Sequence, residues 1–146
     1  MADGRQSQLI QFDSATTYTL TTSYVASTPI RAGKAYQVGL DISYTQGAAE
    51  TLNTLDIKIE ISNVDTTPTA TDWFQMSSES TSSGLTTSSY QNYRFTAVAT
   101  AGTADRFHIS FPIDVKWVRV SVREGGVAAN AGTFLGRLTV SENFGG

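Results

Sequence analysis

Cysteine is absent from the 146 residues, so no disulfide can hold the fold and no thiolate can bind a metal. Small secreted domains often depend on disulfides, and their absence points towards a bacterial cytoplasm or a particle assembled there. Charge is also scarce. Charged residues make up 16% of the chain, against ~25% in an average soluble domain. The ten Lys and Arg are scattered and the net charge is −3. A nucleic-acid binder needs a basic stripe to neutralise phosphates, so nucleic acid is not expected as a partner. No stretch approaches the ~20 apolar residues of a membrane-spanning helix, and no membrane partner is expected. The opening Met1-Ala2-Asp3-Gly4-Arg5-Gln6 has no charged stretch followed by an apolar run, so no secretory leader is expected. No Asn-x-Ser/Thr acceptor occurs.

What the chain has in abundance is Ser and Thr, about a quarter of all residues. Thr favours strands because its branched side chain fits a pleated surface. Alternation with a period of two runs through the sequence. Tyr36, Val38, Leu40, Ile42 and Tyr44 alternate with Gln37, Gly39, Asp41 and Ser43. Leu55, Ile57, Ile59 and Ile61 alternate with Asp56, Lys58 and Glu60; Phe107, Ile109, Phe111 and Ile113 with His108, Ser110 and Pro112; Val118, Val120 and Val122 with Arg119, Ser121 and Arg123. On a helix these apolar side chains would spread round the whole cylinder; on a strand they share one face. Weaker patterns predict strands at 8–12, 17–22, 72–76, 90–98 and 133–141, the last with Leu135 out of phase and a bulge at Gly136.

Turn-forming Gly, Asn, Asp and Ser fill the connections, and Ala101–Ala104, centred on Gly102, is short enough for a hairpin. Ser77 to Ser89, with seven Ser and three Thr, cannot bury apolar surface and is expected to be an exposed, mobile loop. Antiparallel strands with one wet face and short loops predict an all-β, jelly-roll-like sandwich of about nine strands. The expected organisation is an N-terminal arm over 1–8 and a single domain over 9–146. The four strong strands carry about sixteen large apolar side chains, each worth ~1.5–3 kcal/mol when buried, enough to support a core without a staple.

Catalytic chemistry finds little to work with, and no enzyme activity is expected. His108, the single histidine, falls on the polar side of its strand. Ser110 shares that face, but no Gly-x-Ser-x-Gly nucleophile turn exists. Asp56 and Glu60 share a strand face and could be read as a glycosidase carboxylate pair, but such charges normally solubilise a wet face. Asp65 and Asp72 flank a Thr-rich loop with hard oxygens of the kind calcium takes, yet the dedicated Asp-x-Asp-x-Asp-Gly pattern is missing and loop aspartates commonly bond their own backbone. No phosphate-cradling glycine loop is present. No catalytic residue, metal site or cofactor is expected.

Trp73, Phe74, Tyr90, Tyr93 and Trp117 invite three readings, in the order core packing, subunit contact and sugar stacking. Trp117 is out of phase with Val118, Val120 and Val122, which predicts the outer face or a strand end. Met1, Asp3, Arg5 and Gln8 are the candidate contacts of the arm, since a polar tail stays ordered only when tied down.

The chain resembles the small β-sandwich structural proteins of tailed bacteriophages, in particular head decoration (capsid cement) proteins. The resemblance rests on the start Met1-Ala2-Asp3-Gly4-Arg5, the Cys-free Ser/Thr-rich composition, Lys116 to Gly126 (KWVRVSVREGG) and Thr133 to Val140 (TFLGRLTV). It implies a non-enzymatic component of the virion, bound to the capsid surface as a homo-oligomer, most often a trimer. Its implied partner is the major capsid protein, whose subunits it clamps together. The alternatives are a tail- or fibre-associated module, or a β-sandwich that binds a glycan.

Overall fold

The strongest two-residue alternations occupy the centres of two antiparallel sheets. The computed structural model describes residues 5–33, 35–47, 53–90, 92–126 and 130–142. Among these, all regular structure is strand: β1 (Arg5–Leu9), β2 (Thr17–Thr19), β3 (Val25–Ala26), β4 (Ile30–Arg31), β5 (Ala35–Thr45), β6 (Thr54–Ser62), β7 (Phe74–Gln75), β8 (Ser77–Ser82), β9 (Leu85–Tyr90), β10 (Asn92–Thr96), β11 (Asp105–Pro112), β12 (Trp117–Gly125) and β13 (Thr133–Glu142). The first sheet runs β1–β13–β5–β11, with β2 continuing the line of β1 along β13. The second runs β10–β6–β12–β3, with β7 in line with β10 along β6, and β4 in line with β3 along β12.

Both sheets thus have four strand positions, and consecutive segments alternate between them: β2 to β3, β5 to β6, β10 to β11, β12 to β13. This connectivity is a jelly roll, two interlocked Greek keys wound into a sandwich. The N-terminal segment binds both sheets along one side. Leu20 N–H donates to Gly132 O at 2.9 Å, and one residue later Thr21 O accepts from Glu124 N–H at 2.8 Å. The chain therefore leaves β13 and joins β12 without a gap in hydrogen bonding, which keeps buried backbone groups satisfied.

Val38, Leu40, Ile42 and Tyr44 of β5 meet Leu55, Ile57 and Ile59 of β6, Val118, Val120 and Val122 of β12, and Phe134, Leu138 and Val140 of β13 in one continuous core. Ile10, Phe12 and Leu20 close it beneath the N-terminal segment. Between Phe12 and Ala15 the chain makes a two-residue turn with positive φ at Asp13 and Ser14, a conformation that short polar side chains tolerate. Within the core the buried Glu124 carboxylate accepts hydrogen bonds from the Tyr44 hydroxyl and, at 2.8 Å, from Gly132 N–H.

Several local expectations differ from what forms. Tyr36 is expected to start the apolar face of β5 but is 56% exposed, because the register with β13 shifts past it and Ala35 is the buried residue instead. The register of β13 on β5 runs unbroken through Gly136 and shifts only between Ser141 and Glu142. Leu135 therefore faces out in ordinary alternation, with no bulge at Gly136. Gly136 is needed for another reason: a Cβ there would lie 2.7 Å from Phe134 Cζ and 2.8 Å from Ile10 Cδ1. Ser77 to Ser89 is a hairpin rather than a loop, with β8 paired to β9 across Ser83–Gly84. Both turn residues have positive φ, the type I′ geometry that matches strand twist. The Thr81–Thr86 and Ser80–Thr87 hydroxyl pairs span it. Thr, poor at filling a core, still ladders well between strands. Arg5 to Gln8, expected to belong to an arm, pair with the chain's own Ser141 to Leu138.

Candidate functional site: the outer sheet faces

The two outer faces of the sandwich treat their cations in opposite ways. On the second sheet, Asp56 of β6 is opposite Arg94 of β10 on one side and Arg123 of β12 on the other. Arg94 donates to both Asp56 oxygens, Nε at 2.7 Å and Nη2 at 2.9 Å, and Arg123 Nε adds a third bond at 2.9 Å. Tyr24 lies over this group, its ring centroid 4.0 Å from Lys58 Nζ and 4.5 Å from Arg123 Cζ. Asp56 is consequently only 2% exposed, where a solubilising surface carboxylate was expected. The Arg94 hydrogen bond, against the opposing effect of burial and with help from Arg123, holds its carboxyl below the ordinary aspartate range. Burial pushes the Tyr24 phenol up, partly offset by Arg123.

Two rows along, Glu60 accepts from Arg119 Nη2 at 3.0 Å and from the Ser121 hydroxyl. Arg119 stacks on Trp73 with Cζ 4.4 Å from the ring centroid. At the start of β12, Trp117 donates from Nε1 to Val64 O at 3.1 Å, and Arg31 Cζ lies 5.3 Å from its ring centroid. Asp56 and Glu60 therefore neutralise arginines rather than flank a scissile bond. Asp72 accepts from Thr69 N–H at 2.7 Å and from the Thr69 hydroxyl, and Asp65 pairs with Lys116. Both are bonded within or beside their own loop, and both carboxyls are held below the usual range by those partners.

The outer face of the first sheet carries a surface groove of about 490 Å³. The register sets its grid: Leu135, Ser43 and Arg106 form one row, and Leu9, Arg137, Asp41 and His108 the next. His108 Nδ1 lies 2.6 Å from Asp41 Oδ1. The imidazole rests over Gly39, where a Cβ would come within 2.9 Å of His108 Cε1. Ser110 makes no hydrogen bond to His108 among the described residues, so histidine and carboxylate pair without a nucleophile, and the geometry gives no acyl-transfer triad. Among the described residues Arg137 Nη1 reaches only Ser7 Oγ, at 3.3 Å. Arg106 makes no ion pair or hydrogen bond among the described residues.

The candidate aromatics do not converge. Trp73 and Trp117 are committed to arginines on the second sheet. Tyr93 is half-buried between β10 and β11, and burial raises its phenol pKa. Phe74 and Tyr90 stay in solvent at 68% and 71% exposure. Of the arm candidates, Arg5 and Gln8 lie in β1, whereas Met1 and Asp3 fall outside the described residues. Sequence reasoning missed Tyr24, Arg94, Arg106, Arg123 and Arg137. Their roles depend on which strand lies beside which, and no local pattern encodes that.

No protein-family model matches the chain, and no curated protein matches it. Among solved structures, the chain is similar to a chain of infectious bursal disease virus, Gt strain, at 14% identity and a TM-score of 0.54, covering 98% of this chain and 33% of that one. A chain of the Gx strain of the same virus matches at 14% identity and a TM-score of 0.44, covering 99% and 32%. This protein thus spans about a third of the length of the chains it matches. The first comparison establishes a shared sandwich fold over nearly the whole chain.

Proposed function

We propose that this chain is a non-enzymatic structural component of a virus particle. The observation that carries the reading is the jelly roll itself, which spans nearly the whole chain and is shared with part of a chain from a solved virus structure. The outer faces support it: their carboxylates serve ion pairs, and the Asp41–His108 pair has no nucleophile. The finer reading, drawn from the resemblance to phage proteins, is decoration of a bacteriophage head. On that reading the protein, made in the host cytoplasm, binds the capsid surface as a trimer and bridges major capsid subunits. Rigid sandwiches suit such a role, and many identical weak contacts add through multivalency. The unpaired outer edges of β1 and β11 among the described residues would take a neighbour's strand by edge addition.

Co-sedimentation of the purified chain with phage heads lacking it tests the reading. Saturable binding to heads supports it, whereas protein that stays in the supernatant, or binds only tails, refutes the decoration role. The glycan alternative now rests on Phe74 and Tyr90, the two candidate aromatics left in solvent. Glycan binding lost on Phe74→Ala would favour it.

A further inference from the structure

We infer that the outer face of the first sheet is a docking groove for an acidic, leucine-rich extended segment of a protein partner. The contrast between the two faces motivates this. On the second sheet Arg94, Arg119 and Arg123 each meet a carboxylate, and two of them also lie against an aromatic ring. On the first sheet Arg106 and Arg137 meet none among the described residues, in a chain whose net charge is −3. The single carboxylate between them, Asp41, is engaged by His108.

The register fixes the spacing. Arg137 and Arg106 are two strands and one outward-facing row apart, about 12 Å between Cα atoms by ordinary sheet dimensions. Both line the groove together with Ser43, and each can take a carboxylate in the bidentate geometry that guanidinium favours. Leu9 and Leu135 flank these cations, so the ligand has apolar groups beside its acids. Two cations are too few to hold a nucleic-acid backbone, whose affinity grows with the number of phosphates neutralised. The rings in the lining are already engaged: Phe107 is half-buried and stacked on Phe95, and the His108 imidazole pairs with Asp41. An extended acidic peptide laid across the pleat satisfies both the charge and the leucines. The groove stands on these residues alone and does not depend on the particle reading.

The test uses the full chain, isotope-labelled, titrated with a short peptide of two glutamates separated by leucines and with its glutamine counterpart. The glutamate peptide should shift the amide signals of Ser43, Arg106, Leu135 and Arg137. Its affinity should fall at least about tenfold, the loss of a charge-assisted pair, in the Arg106→Ala/Arg137→Ala variant. Lys116→Ala, in the connection that leads into β12 of the other sheet, should bind as the wild type does. Equal binding of the glutamine peptide, unchanged binding by the double variant, or no shifts at all would overturn the inference. So would binding of sialyllactose or a heparin-derived saccharide at the groove in place of the peptide. Both arginines are exposed and the double variant's spectrum reports its fold, so lost binding cannot be mistaken for unfolding.

Discussion

Phe95 of β10 stacks on Phe107 of β11, with ring centroids 4.2 Å apart and 13° between the planes. The two strands belong to different sheets and are the edges of the sandwich on the side the N-terminal segment does not cover. The stacked pair stands where a hydrogen-bonded closure is missing, with a slot of about 150 Å³ beside it lined by Ile57, Tyr93 and Ile109. Offset aromatic pairs contribute beyond the area they bury. Phe107→Ala should therefore destabilise the fold by about 2 kcal/mol, less than a fully enclosed phenylalanine because the pair is half-exposed. Urea unfolding followed by tryptophan fluorescence measures this, and Phe107→Leu should recover most of the loss.

Acid sensitivity should trace to Asp56. Its carboxyl is held below the 3.8 of an ordinary aspartate, chiefly by Arg94. A group with a depressed folded-state pKa contributes stability that is fully present above the unfolded value and is lost as pH falls through the folded one. The urea midpoint should thus decline below about pH 4, and in Asp56→Asn that decline should be shallower. At neutral pH the same substitution should cost about 2 kcal/mol through the lost charge-assisted bonds.

Gly136→Ala should destabilise by about 1–3 kcal/mol, because the new methyl would overpack against Phe134 and Ile10. At Gly102 a Cβ would meet nothing within 4 Å, and only the backbone, at φ +83°, resists it. Alanine there should cost no more than about 1–2 kcal/mol. Thermal melts of the two variants separate a packing requirement from a conformational one.

These residues mark how far the sequence could be read. Ile59 and Val120, opposite each other across β6 and β12, announced their strands by alternation, because burying one face of a pleated strand requires it. The sandwich and its central strands were legible for that reason. Gly136 was legible as unusual but not in its cause, which lies in Ile10, more than a hundred residues away. The Ser-rich hairpin was missed because its pairing draws on turn geometry at Ser83–Gly84 and on hydroxyl ladders, not on apolar periodicity. The outer-face groups were missed for a related reason: Asp56 pairs with Arg94 and Arg123 through register alone.

The hairpin of β8 and β9 is exposed along its length wherever side chains are described. Replacing 78–89 with a short Gly-Ser turn should leave the melting temperature within a few degrees, since exposed polar residues away from the core contribute little to stability. A large drop in the melt would show that the hairpin supports the sandwich.

The particle role is tested most directly by electron cryomicroscopy of the assembled virion that contains this protein. The expected result is density matching a 15.7 kDa jelly roll, repeated over the outer surface of the capsid at junctions between its subunits. Particles whose capsid surface carries no such density, while the protein is found elsewhere or free, would contradict it.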